Sequence, residues 1–315
     1  MDTDRPTGQS VQAKALNSPP LAPANEDTFV PVAERIRHLI LNEGASRVPR
    51  DSDAEKLDEL WLGDAYDSSD PDQKSISLYL RVGSPDNLVA EAVCGCLARI
   101  LDLPAPEVFI VHIPPGHLPH SALIRQDAAA LCVATRDLGG DTFLQFLRSD
   151  KKAAISLLTK WADWAKVVAF DEWVANGDRN FGNIIFRDKN LHIIDHAEAF
   201  GGACRALYPL NELADGVFEN ALAIPMRTFT AEQCHHVLEG LGQWLVEVAG
   251  PLDIPGIVEY ADTSHWQPKP QIQELITFIE QRLGITYELL CNRLGHPQLK
   301  LTSTGMKDES VAGAQ

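Results

Sequence analysis

The residues best suited to chemistry are two carboxylates and an amide: Asp178, Asn183 and Asp195. Short oxygen-bearing side chains of this kind suit a hard divalent cation such as Mg²⁺ and the phosphate it carries. Their spacing offers a way to bring them together. Ile184 to Phe186 and Leu191 to Ile194 are apolar runs separated by Arg187-Asp188-Lys189-Asn190, so the pair predicts a tight β-hairpin. With Phe186 opposite Leu191, Asn183 falls opposite Ile194, and its amide lies roughly 5–8 Å at Cβ from the Asp195 carboxylate. Asp178 precedes Asn183 by five residues, in a glycine-containing loop that can bend it back to the same hairpin mouth. Taken singly, Asn176-Gly177-Asp178 could be a plain turn and Asp195 a helix cap. All three at this spacing favour a site.

The surrounding elements must hold that mouth in position. Residues 152–176 carry the longest helical signal before it, with Leu157, Trp161, Trp164, Val168 and Asp171 recurring every three or four positions. The tryptophans read as core, and Gly177 reads as the C-cap that releases the chain into the loop. Gly139-Gly140 suggests a hinge, followed by Asp141 as the N-cap of a helix to about Arg148. Earlier, Ser75 to Val82 alternates as a half-buried strand, and Gly83-Ser84-Pro85-Asp86 turns it into a helix over about 87–101. Strands are expected at Val108 to Ile113, Ser121 to Arg125 and Leu131 to Ala134. A first helix is expected over 29–43 from Val30, Val32, Ile36, Ile40 and Leu41. Beyond the site, Cys234 to Val248 and Ile272 to Leu283 read as amphipathic helices, and His235-His236 as surface.

An Asp, an Asn five residues on, and a second Asp after a hairpin follow the catalytic-loop logic of protein kinases. Here His-Arg-Asp is replaced by Asn176-Gly177-Asp178, and Asp-Phe-Gly by Asp195-His196-Ala197. Asn176-Gly177-Asp178-Arg179-Asn180 with Ile194-Asp195-His196 resembles the HipA-like kinases of bacteria, over about residues 74–200. The resemblance implies an α+β, two-lobed, protein-kinase-like fold with a small β-rich N-lobe carrying one packed helix and a larger, mostly helical C-lobe. The chain then divides into a disordered tail (1–28), the N-lobe (29–138), the C-lobe (139–301) and a second tail (302–315).

ATP and Mg²⁺ are the implied cofactors. Asp178 would accept the proton of the attacking hydroxyl, and Asn183 and Asp195 would hold the metal. Arg81 stands where such kinases carry a Lys to the phosphates, and Glu91 where its carboxylate partner sits. On a helical wheel Glu91 lies opposite the stripe Val89, Val93, Cys96, Leu97 and Ile100, so a paired and a solvent-facing Glu91 are both open. No Gly-x-Gly-x-x-Gly precedes the strand. The implied acceptor is a Ser/Thr hydroxyl of a protein, with an antitoxin-like partner; a small-molecule hydroxyl, as in kinases resembling aminoglycoside phosphotransferases, is the alternative. A non-catalytic nucleotide-binding module and an acidic helical scaffold are the other readings.

Composition bounds these readings. The 315 residues hold 27 basic and 44 acidic side chains, a net charge of −17, which argues against nucleic acid as a direct partner. Nine acids crowd residues 51–72 without an EF-hand spacing and read as a solvated face. The six cysteines lack a Cys-x-x-Cys pair and read as reduced, mostly buried thiols of a cytoplasmic protein. No apolar run approaches a membrane span, and the N-terminus is not that of a secretory signal.

Overall fold

The computed structural model describes residues 35–49, 58–70, 72 and 74–295. The expected tails, residues 29–34 of the expected first helix, and Asp51, Asp53 and Glu55 of the acidic stretch lie outside them. The described chain is α+β. Six strands, β1 (Arg37–Leu41), β2 (Ser46–Arg47), β3 (Glu59–Tyr66), β4 (Ile76–Val82), β5 (Val108–Ile113) and β6 (Ala130–Arg136), form one sheet in the order β1-β5-β6-β4-β3-β2. Only the β1–β5 pair is parallel. Leu41 also pairs with Ala65 across β1 and β3, so the sheet curls round until its first strand meets its fifth. Closure brings two backbones close. A Cβ on Gly63 would lie 2.9 Å from that of Ala45, so only glycine fits there.

Strand alternation sorts the side chains into two cores. Leu39, Leu41, Trp61, Leu78, Leu80, Phe109 and Val111 fill the inside of the curled sheet. Val108, Ile110 and Val133 face the other way, towards α1 (Pro85–Ile100) and a second apolar core that runs on into the helices. The helix expected over 29–43 is therefore corrected where the chain is described. Leu39 and Leu41 are buried at a period of two, and the helical spacing of Ile36 and Ile40 is coincidental.

Ser121 to Arg125, expected as a strand, forms a turn over a buried carboxylate instead. Glu59 accepts hydrogen bonds from Ser121 Oγ (2.6 Å), the Ala122 amide (2.8 Å) and Trp61 Nε1 (3.1 Å). Burial alone would raise its pKa; these donors and nearby Arg47 outweigh that and hold the carboxyl below the usual range. A depressed folded value contributes stability above the ordinary carboxylate pKa, and that contribution is lost as pH falls through the folded value. Glu59→Gln is accordingly expected to cost about 1–3 kcal/mol in urea unfolding at neutral pH. The gap from wild type should close on acidification; a gap independent of pH would contradict the assignment.

The second half holds a three-stranded sheet, β7 (Asp141–Thr142), β8 (Ile184–Arg187) and β9 (Asn190–Ile193), with helices α2 (Phe143–Ser149), α3 (Lys151–Thr159), α4 (Trp164–Trp173), α5 (Leu210–Leu213), α6 (Ala231–Trp244), α7 (Ile254–Tyr260) and α8 (Lys269–Arg293). The continuous helix expected over 152–176 is two helices. Four residues turn the chain at Lys160–Asp163, and a turn of that length preserves the three-to-four spacing on which the expectation rested. The cap at Asp141 is likewise corrected to Thr142, whose hydroxyl and Gln145 form a reciprocal capping box while Asp141 pairs in β7.

Trp164 and Trp173 are buried, their indole N–H groups donating to the carbonyls of Leu222 (2.9 Å) and Ile279 (2.8 Å). Five of the cysteines are buried and Cys204 is half-buried. Arg282 of α8, wholly buried, donates to the carbonyls of Trp173 (2.9 Å), Ala214 (2.9 Å) and Gly216 (2.9 Å), and also to Glu172 O. Burial pulls its pKa down to about 10, with the Glu172 carboxylate opposing, so it stays charged at neutral pH. Arg293 Nε closes on Glu172 Oε2 at 2.5 Å.

Candidate active site

Phe186 pairs with Leu191 and Ile184 with Ile193, as the apolar runs predict. Asp188 and Lys189 both take left-handed backbone (φ 51° and 66°), the geometry of a two-residue hairpin turn matched to strand twist. Beyond the last pair the Ile194 amide donates to the Asn183 carbonyl (3.1 Å), so Asn183 and Asp195 do meet at the open end. Gly140 (φ 90°) makes β7 possible beside this hairpin, because a Cβ there would lie 2.6 Å from the Phe186 carbonyl.

The loop between α4 and β8 is set by a buried ion pair. Arg179 Nε lies 2.9 Å from Asp171 Oδ2, with both side chains shielded from water. The same guanidinium donates through Nη1 to the carbonyls of Asn183 (2.9 Å) and Ile194 (2.6 Å), and so holds both strands of the mouth. Asn176 Nδ2 donates to Asp171 Oδ1 (3.1 Å), and Asn176 Oδ1 accepts the Asp178 amide (3.2 Å). Asp178 is thereby turned towards Asn183, whose Nδ2 donates to its carboxylate (3.1 Å) and its carbonyl (2.8 Å). The helix ends at Trp173, and the left-handed residue after it is Ala175 (φ 51°); the expected C-cap at Gly177 is corrected to that extent.

Sequence reasoning missed the Asp171–Arg179 strut. One signal existed: a carboxylate recurring on an otherwise apolar helix stripe must be buried, and a buried charge requires a partner.

Asp195 also has a left-handed backbone (φ 59°), a conformation that is strained for a residue other than glycine. It is held by the carboxylate of Glu91, which accepts the His196 amide (2.8 Å). Glu91 is buried, so of its two open readings the paired one holds: Oε2 lies 3.8 Å from Arg81 Nε. The wheel misleads because α1 is buried on almost every side from Leu88 to Ala98. Arg81 Nη2 reaches Asp195 Oδ1 at 2.7 Å, and Nη1 is bonded to Asp58.

Burial works against the Arg81 charge, but Asp195, Glu91 and Asp58 outweigh it and push its pKa above the ordinary range. Asp58 and Glu59 correct the reading of residues 51–72 as a solvated face; both are buried, and nothing in that acidic run distinguishes them from their neighbours. His196 is buried edge-to-face against Phe170, consistent with a structural residue. His235 and His236 are exposed, as expected.

Arg81, Glu91, Asp178, Asn183 and Asp195 all line one cavity of about 600 Å³. Its remaining wall includes Leu60, Val133, Gly139, Gly140, Ile185 and Ile194. Asp58, Glu91 and Asp195 surround the Arg81 guanidinium, Asp178 lies across the cavity, and Arg136 and Asp137 add one charge of each sign to its wall. This excess of negative charge, with an amide oxygen beside it, fits a divalent cation bound through oxygen.

A paired cation, a metal-suited carboxylate and amide, and a loop Asp at one cleft are the parts of a phosphotransferase site. The family described as HipA-like kinase matches residues 81–223, a span that begins at Arg81 and includes all five residues, so the resemblance read in the sequence holds there and supports a kinase in general terms. Among solved structures, the chain is similar to the crystal structure of a Helicobacter pylori proinflammatory kinase, CtkA, with 14% identity and a TM-score of 0.48, over 74% of this chain and 94% of that one. A search of curated proteins finds no match.

Proposed function

We propose that this protein is an ATP-dependent kinase that moves the γ-phosphoryl group of ATP·Mg²⁺ to a Ser/Thr hydroxyl of a protein acceptor. In this reading the six-stranded sheet with α1 acts as a small lobe and the remainder as a larger helical one, with the cleft between them. The observation that carries it is the meeting of Asp178, Asn183 and Asp195 at a cavity where Arg81 is already paired with Glu91.

Bound ATP·Mg²⁺ would supply the phosphoryl group and offset the acidic excess. Asp195 and the Asn183 side-chain oxygen would hold the metal, the Asn183 nitrogen being engaged with Asp178. Arg81 would contact phosphate, positioned by Glu91. Asp178 would orient the acceptor hydroxyl and take its proton. Leu60, Val133, Ile185 and Ile194 offer apolar walls suited to a flat heteroaromatic ring. Among the described residues no helix is long and apolar enough to cross a membrane, and the reading includes a cytoplasmic location and an antitoxin-like partner.

A second reading has one observation in its favour. Arg81 Nη2 already occupies Asp195 Oδ1 (2.7 Å), which would suit a nucleotide-binding module that does not turn over. Incubation with γ-labelled ATP and Mg²⁺ separates the two. Label transferred to protein by wild type and lost in Asp195→Ala supports the kinase. Thermal stabilisation by ATP without transfer to any acceptor supports the module, and equal labelling by both chains would reject the assignment of Asp195.

A further inference from the structure

We propose that His38, Asp262 and His265 form a binding site for a zinc-type divalent transition ion, outside the residues that line the cleft, with His112 positioning His38. His38 lies on β1, His112 on the neighbouring β5, and Asp262 and His265 in the segment between α7 and α8. His38 Nε2 and His265 Nε2 each stand 3.1 Å from Asp262 Oδ2, and all three ligand atoms lie within 4.8 Å of one another. A tetrahedral zinc ion with bonds of about 2.0–2.1 Å spaces its ligand atoms about 3.3 Å apart, so small adjustments would admit one.

The surroundings aim these atoms at a common point. His38 Nδ1 lies 3.0 Å from His112 Nε2, a contact that fixes the ring and leaves Nε2 as the atom presented to Asp262. Asp262 takes a left-handed backbone (φ 50°), and its other oxygen, Oδ1, accepts from Ser264 Oγ (3.3 Å), which leaves Oδ2 for the two rings. A shallow cavity beside them, bordered by His112, His265 and Trp266, leaves room for a water as fourth ligand.

The donor set is the reason for choosing this class of ion. Two imidazoles and one carboxylate select zinc-type metals, whereas the all-oxygen set of Asp178, Asn183 and Asp195 suits Mg²⁺. An ion here would tie the first strand of the curled sheet to the turn before the last helix, joining places distant in sequence. The competing arrangement is protons alone, each ring donating to Asp262, which predicts no stoichiometric metal.

The test uses the full chain, stripped with a chelator and titrated with Zn²⁺ against a competing indicator. One equivalent is expected in wild type and in Asp195→Ala, with affinity at least about tenfold weaker in His265→Ala and Asp262→Asn, and weakened similarly in His112→Phe. Co²⁺ in place of Zn²⁺ should give visible d–d absorption without thiolate charge-transfer bands. Circular dichroism checks the fold of each variant; should a variant unfold, the wild-type stoichiometry and cobalt spectrum decide. Absence of stoichiometric zinc, thiolate bands with cobalt, or undiminished affinity in a folded His265→Ala would each overturn the proposal.

Discussion

Asp178→Asn is expected to lower phosphoryl transfer by about 10²–10⁴-fold, the range set by loss of a positioned general base. The substitution keeps the shape of the side chain and one acceptor oxygen for the Asn183 amide, which donates to Asp178 at 3.1 Å. The Asp178 carbonyl, which accepts from Asn180 (3.0 Å) and Asn183 (2.8 Å), is untouched, so the loop retains its course. The loss should therefore appear in kcat, with KM for ATP little changed, because Asn183 and Asp195 remain. A variant with weakened ATP binding and an unchanged maximal rate would mean that the carboxylate holds the metal and does not take the proton. Turnover at the wild-type rate would remove Asp178 from the chemistry altogether.

Arg179→Met is expected to cost about 3–5 kcal/mol in urea unfolding, since it strands the buried Asp171 carboxylate without its cation. The double variant Asp171→Leu/Arg179→Met should recover part of that loss, because an apolar pair no longer carries a desolvated charge. Recovery is incomplete, as Asn176 and Asn220 also donate to Asp171. Transfer activity should not return with stability. The Nη1 contacts to Asn183 and Ile194 are gone in both variants, and with them the support that fixes the distance between the amide and Asp195. Full transfer by the double variant, or a single variant as stable as wild type, would show that this strut does not set the site.

The hairpin was legible in the sequence because local pattern alone determines it. Its two apolar runs admit one register that buries Ile184, Leu191 and Ile193 together, and that register carries Asn183 to Asp195. Features that depend on distant packing were not legible. The burial of Glu91 follows from α1 being covered on several faces, which a single helical stripe cannot express. Leu39 and Leu41 belong to a strand because a sheet closes over them, although Ile36, Ile40 and Leu41 also fit a helix. Asp58 joins Arg81 from within an acid-rich run where composition points to solvent. The turn at Lys160–Asp163 leaves the apolar spacing unbroken, so periodicity passes straight across it.

The carbonyls that end α4 are capped from far along the chain. Arg282 fills those of Glu172 and Trp173, and Arg293 neutralises Glu172, although both arginines lie well past residue 223, where the family match stops. The recognisable segment is therefore shorter than the smallest piece able to hold the site together. A fragment trimmed to that segment would expose a buried acid and a row of unmet acceptors directly behind the loop that carries Asp178, so expression boundaries for this protein belong after α8.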